Sequence, residues 1–278
     1  MPFTIFDPNM NKIDYPVGVT PLDFLVSAIE KERYIETVNG IPGNVNYGFD
    51  YKEREVTLNF WLRHYHGEHD QKLLRSELYA MLDSQPYFYV SDDKLPTRAL
   101  KLAIDEPYLP ERINGSNIST LEIKCQIIDL PFWQTKYTTQ DIETNGYEAV
   151  IEKFGLADGI NIDYPRYTFT ESEFSLWNGG NVDIDPRNIE LLIQFYNLKT
   201  EGTFTITNLT TGEKHVLNKP FSGNHYLLSN AKAINASGVN YLRDTNRKFI
   251  SLAKGLNKFR IENGIFDRVI FDFKFHYL

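Results

Sequence analysis

Phe271-Asp272-Phe273-Lys274-Phe275-His276-Tyr277-Leu278 is the stretch that decides the fold class. Phe271, Phe273, Phe275 and Tyr277 fall on one side, and Asp272, Lys274 and His276 on the other. A strict period of two is the pattern of a strand with one face in a core. The expectation is a sheet element locked into the protein up to its last residue, not a frayed tail. The whole chain has the same bias. Aromatic residues make up 14% of it, with 17 Tyr and 19 Phe, and aromatic side chains favour strands.

Working back from that end, short β segments alternate with turn chemistry. Tyr167–Thr170 precedes Asn178-Gly179-Gly180-Asn181, and Ile189–Tyr196 precedes Gly202. Thr203–Thr207 leads to Thr210-Thr211-Gly212-Glu213, Phe249–Leu252 leads to Lys254-Gly255, and Lys258–Ile261 leads to Asn263-Gly264. Turns at this spacing predict a β-sandwich. Further back, Gln134–Gly146 is polar and without periodicity, which makes it the expected linker. Two domains follow, residues 1–135 and 136–278, as 278 residues also suggest.

The first domain is expected to be β with one helix. Val56, Leu58, Phe60 and Leu62 alternate with Glu55, Thr57, Asn59 and Trp61, a strand. Leu74, Leu78, Met81 and Leu82 form one apolar stripe, so Asp70–Gln85 is expected to be a helix, preceded by Gly67 and stopped by Pro86. Tyr87–Val90 is a short strand, and Leu100–Ile104 and Thr120–Ile128 form a hairpin around Asn114-Gly115. Leu22–Ile29 fits either a helix start after Thr20-Pro21 or a strand, and the strand is the preferred reading.

Composition narrows the chemistry. No run of eighteen apolar residues exists to span a membrane. The opening Met1-Pro2-Phe3-Thr4-Ile5 lacks the basic and apolar regions of a secretory signal, so synthesis in a cytoplasm is expected. The four Asn-x-Ser/Thr matches, at Asn114, Asn117, Asn208 and Asn235, then carry no information. The single Cys125 excludes an internal disulfide, and its apolar neighbours Leu121, Ile123 and Ile127 make it a small core residue.

His64-x-His66-x-x-His69 has the residue type for zinc but no acidic or cysteine partner at ligand spacing, and reads as a strand-to-helix corner. Asn181-x-Asp183-x-Asp185 opens like a calcium loop, yet Pro186 and Leu192 stand where Gly and Glu are required. Those aspartates read as turn formers before Pro186, not as a glycosidase pair. Arg243, Arg247 and Lys248 are basic but interrupted by Asp244, and read as a solvated loop. Nucleophile elbows, phosphate loops and dinucleotide fingerprints are absent. No catalytic, cofactor-binding or metal-binding residue is nominated, and no enzyme activity is expected.

Several stretches in order resemble the distal tail proteins (Dit) of siphovirus-type bacteriophages. They are Glu36-Thr37-Val38-Asn39-Gly40-Ile41-Pro42-Gly43, Tyr51–Leu58, Pro131-Phe132-Trp133, Asn178–Arg187, Ile206–Gly212, Arg243-Asp244-Thr245-Asn246-Arg247 and Phe271–Leu278. The resemblance implies an N-terminal β domain with a helix and a β arm, copies of which close a six-membered ring. It implies a C-terminal galectin-like sandwich on the ring's periphery. It further implies a virion location at the tail tip or baseplate, passage of DNA through the ring, and a part in host attachment. The implied partners are the tail tube protein, the tail-tip (tail-associated lysin) protein and a receptor-binding protein, with ring formation depending on those neighbours. The ring-contact residues are left unassigned. The rival reading is a lectin-like module recognising a host glycan, with Trp177 or Tyr226 as exposed stacking platforms.

A net charge of −8 argues against tight DNA binding, which rests on Lys and Arg neutralising phosphates. The expected outcome is weak, sequence-independent association with short duplexes at physiological salt. Submicromolar binding in a fluorescence-anisotropy titration would contradict it.

Overall fold

The computed structural model describes residues 2–40, 42–155 and 157–278. They divide into two compact units, one within Met1–Trp133 and the other within Gln134–Tyr277. The turn Glu36–Gly43 read from the sequence includes Ile41, which lies outside the described residues.

The first unit contains β1 (Phe3–Phe6), β2 (Val19–Val26), β3 (Lys31–Glu36), β4 (Val45–Tyr51), β5 (Val56–Arg63), α1 (Glu68–Leu82), β6 (Phe88–Asp92), β7 (Arg98–Ala103), β8 (Glu111–Arg112) and β9 (Ile118–Ile127). A further strand, β10 (Trp133–Thr135), lies at the boundary. The sheet order is β1-β6-β7-β9-β5-β2, with β8 added on β9 and β3-β4 forming a separate two-stranded ribbon. In β5 the alternation holds as expected: Val56, Leu58, Phe60 and Leu62 are buried. They pack with Phe3, Phe24, Leu121 and Ile123 in one core. Helix α1 covers that core with Leu74, Leu78 and Leu82. It begins two residues before the expected start and ends at Leu82, short of Gln85. Asp70, inside its first turn, accepts the N–H groups of Tyr65 and His66 at 2.6 and 3.0 Å. Those bonds fix the corner and hold the Asp70 carboxyl below the usual range.

The segment Leu22–Ile29 begins as strand, in agreement with the preferred reading: β2 pairs with β5 from Val19↔Leu62 to Val26↔Val56, with a bulge at Pro21/Asp23. Pro21 is tolerated because β2 is the edge strand of its sheet. Cys125 is buried as expected, and burial pushes its thiol up to about 12.

The second unit contains α2 (Thr139–Phe154), β11 (Thr168–Phe169), β12 (Glu173–Asn178), β13 (Leu191–Thr200), β14 (Thr203–Asn208), β15 (Lys214–Asn218), β16 (Phe221–Ser229), β17 (Lys232–Asn235), β18 (Gly255–Glu262), β19 (Arg268–Phe273) and β20 (His276–Tyr277). A five-stranded sheet, β11-β19-β13-β16-β17, faces a four-stranded one, β12-β18-β14-β15. Rings from the two sheets meet edge to face or tilted: Phe195 on Phe204 at 5.0 Å, Phe259 on Phe271 at 5.0 Å, and Phe204 on Tyr226 at 6.2 Å. The chain is thus mainly β, and the expected sandwich is present.

Two expectations are corrected here. Gln134–Gly146 is not a linker. Thr138 and Asp141 form a reciprocal capping box, and a second helix, α2, follows it. Gly146, at φ 78°, kinks α2 and breaks the periodicity that would have marked it as a helix. This segment also belongs to the core. The Thr139 hydroxyl donates to the Phe271 carbonyl and accepts from the Phe273 N–H, both at 3.1 Å. Thr135 does the same for Phe275, its N–H donating to the Phe275 carbonyl and its hydroxyl accepting the Phe275 N–H.

The second correction concerns the last strand. Phe271, Phe273, Phe275 and Tyr277 are all buried, as expected. The strand nevertheless breaks after Phe273 and resumes at His276, and His276 is buried as well.

Phe271 touches Phe169, Phe174 and Phe259. Phe271→Ala is expected to destabilise the second unit by about 3–5 kcal/mol, read as a lower urea midpoint with an unchanged slope.

Acid should also weaken this unit. Burial lowers the pKa of His215 and lowers that of His276 to about 4, against the opposing hydrogen bond to the Lys274 carbonyl. An unfolded histidine titrates near 6.5. Between pH 6.5 and about 4 the unfolded chain therefore binds protons that the folded one refuses. The contribution is complete above 6.5 and lost as pH falls, on the order of 3 kcal/mol for His276. Urea midpoints should fall between pH 7.5 and pH 5, and His276→Asn should flatten that dependence.

Candidate assembly interface

The ribbon β3-β4 is unlike the rest of the first unit. Every residue of β3 is exposed, and β4 has none that is buried. Its register runs Lys31↔Tyr51, Glu32↔Asp50, Arg33↔Phe49, then Ile35↔Asn46 and Glu36↔Val45 past a bulge. Cross-strand polar contacts hold it together. The Tyr34 hydroxyl donates to Asp50 at 2.8 Å, and the Tyr47 hydroxyl to Glu36 at 3.2 Å. Lys52 lies 2.5 Å from Glu32. The Asp50 bond pushes the Tyr34 pKa up, and the Glu32 bond does the same for Lys52. Lys31 sits over the Phe49 ring at 4.9 Å.

At its foot the ribbon is continuous with the sheet. Ser27 N–H donates to the Glu55 carbonyl, Glu30 N–H to Glu53, and Lys52 N–H to Glu30, each at 2.9 Å. The ribbon therefore leaves the sheet as an extension of the β2/β5 ladder. Ile35, Tyr34, Tyr47 and Phe49 are exposed along it, and Leu25 and Trp61 are exposed on β2 and β5. Strands with no buried face are marginal by themselves. Together with the unpaired edge of β2, the ribbon is a surface that pairing with another strand would complete.

The residues weighed from the sequence are placed elsewhere. His64 is buried at the end of β5 while His66 and His69 are exposed, so the triplet does not converge. Among the described residues, no group of three His, Cys, Asp or Glu side chains is placed to hold a metal ion. Asp183 accepts the Lys254 N–H at 2.8 Å. Asp185 accepts the Arg187 N–H at 3.0 Å and its Nε–H at 2.9 Å, which lowers the Asp185 pKa. Both thus serve turns.

Tyr226 is fully buried, 2.8 Å from His215 Nε2, and Trp177 gives its N–H to the Gly159 carbonyl at 3.0 Å. Neither ring is an open platform. Arg243, Arg247 and Lys248 are exposed on a loop pinned by Asn246, which bonds Val216 and Lys214. In Asn178-Gly179-Gly180-Asn181 a Cβ on Gly179 would sit 2.0 Å from the Gly159 carbonyl, and one on Gly180 2.3 Å from that of His276. The glycines are there for backbone packing. Composition gave no signal for the ribbon itself, since its residues lack a consistent apolar face.

Residues 17–125 match the family model of the phage tail protein RIFT-related domain. That segment contains β2, the ribbon, β5 and α1. No curated protein matches the chain.

Among solved structures, the chain is similar to the SPP1 Dit protein (gp 19.1), described as a paradigm of the hub adsorption apparatus of phages infecting Gram-positive bacteria. The TM-score is 0.67 at 14% identity, over 98% of this chain and 99% of that one. It is also similar to chains of the phage p2 baseplate in its activated conformation. With strontium the TM-score is 0.48 at 13% identity, covering 98% of this chain and 97% of that one. With calcium it is 0.48 at 12%, covering 99% and 97%. Residues 17–125 thus match a phage tail domain, and the fold of the chain is similar to that of SPP1 Dit, as the sequence resemblance implied.

Proposed function

We propose that this protein is a structural hub of a phage tail tip, with no enzymatic role. Copies of the first unit close a six-membered ring through the ribbon. The ring joins the tail tube to the tail-tip and host-adsorption proteins and lets DNA pass. The second unit stands as a sandwich at its periphery. The observation that carries this reading is the exposed ribbon, continuous with an unpaired sheet edge. A closed ring needs two different patches on each subunit. A projecting ribbon and a receptive strand edge are such a pair, joined by strand addition. A net charge of −8 suits a wall along which DNA slides without sticking, since like charges repel within about 8 Å at physiological salt.

Val26 and Val56 face each other across the ladder, so Lys31–Tyr51 can be replaced by a short Gly-Ser turn without cutting β2 from β5. The shortened chain is expected to stay folded and monomeric. The full chain mixed with the neighbouring tail proteins should give rings in negative-stain images and a six-fold mass by light scattering. Rings formed equally well by the shortened chain would refute the role given to the ribbon.

A further inference from the structure

A cavity of about 340 Å³ opens at the foot of the ribbon, where the chain passes from β4 into β5. Its walls include Glu53, Arg54, Glu55, Asp105, Glu106 and Lys124. Five of these are exposed; Arg54 alone is buried, at 8% exposure. The Nε–H of Arg54 has no acceptor among the described residues. Burial lowers its pKa and so works against the charge. A guanidinium whose Nε–H is buried without an acceptor costs stability in the isolated chain. Glu53, Glu55, Asp105 and Glu106 stand around it, yet none closes an ion pair with it.

A planar acceptor from outside would complete such a group. Arginine's fork of donors fits a carboxylate better than any other side-chain group. The exposed acids at the rim would repel a bare anion, so the guest is a carboxylate set within a protein surface that also presents cations. The location names the source. The cavity is walled by the link on which the ribbon hangs, so a chain docked at the foot of the ribbon would lie at the cavity. Under the proposed function that docked chain is another copy of this one, which has 37 acidic and 29 basic residues from which to supply both signs.

We infer that Arg54 is an assembly residue, held without its counter-ion in the monomer and completed by a carboxylate side chain of a second copy. This rests on the ring reading and adds to it a specific charged contact. It also makes Arg54 a cost to the monomer and a gain to the assembly.

Arg54→Gln and Arg54→Met test this in two measurements. The melting temperature of the isolated full-length variants should equal or exceed that of the wild type. The concentration needed for half-maximal ring formation with the neighbouring tail proteins should rise roughly 30-fold or more. Arg54→Lys keeps the charge but loses the fork, and should fall between them. Variants that melt well below the wild type would show that Arg54 serves the fold, and would overturn the inference. So would variants that assemble as the wild type does, while leaving the ring reading intact. Failure of the wild type itself to form rings would instead overturn the ring reading, and this inference with it.

Discussion

The ladder between β2 and β5 is the contact on which the use of the first unit depends. Its inner face places Phe24, Val56, Leu58 and Phe60 in the core. Its other partner, β9, takes up the second edge of β5. Among the described residues, no second strand is hydrogen-bonded to β2. An unpaired edge is a hazard that soluble proteins usually blunt. Here it is combined with a ribbon that extends the same ladder into solvent and has no buried side chain. Both features are costs to a solitary chain. Under the proposed function both become ordinary β pairing, another chain supplying the missing strand and the missing face.

The second unit is built on a different economy. Its core is a cluster of rings bridging the sheets, with Phe174 stacked between Phe169 at 4.1 Å and Phe259 at 5.4 Å. Buried polar side chains hold the loops to that core. The Asn208 amide donates to the Ser251 carbonyl at 2.8 Å and to Asn257 at 3.0 Å, and Glu213 accepts from the Ser251 N–H at 2.7 Å. Each satisfied buried bond fixes one loop conformation, because leaving it unmade would cost more than it contributes when made.

The motifs that carried the resemblance can now be sorted by physical role. Gly179 and Gly180 let the backbones of Gly159 and His276 come close. Asn208 and Asn246 tie loops to strands. Phe271, Phe273, Phe275 and Tyr277 fill the sandwich. These are requirements of a fold, so the likeness reports architecture more directly than any site. That is consistent with a fold preserved against SPP1 Dit at 14% identity.

By itself the sequence determined the fold class, the buried face of β5, the apolar stripe of α1, the burial of the closing aromatics and the core role of Cys125. All of these follow from local periodicity or from residue type, which are legible without neighbours. Only the tertiary structure decided the rest. Gln134–Gly146 became the start of a helix because Thr135 and Thr139 find backbone partners in Phe271, Phe273 and Phe275, more than 130 residues away. The ribbon's isolation is invisible in its composition, since an exposed strand and a covered one can share the same residues. Arg54 reads as one more surface charge in Lys52-Glu53-Arg54-Glu55. Its burial without a counter-ion is a property of what packs around it, and no spacing along the chain encodes that.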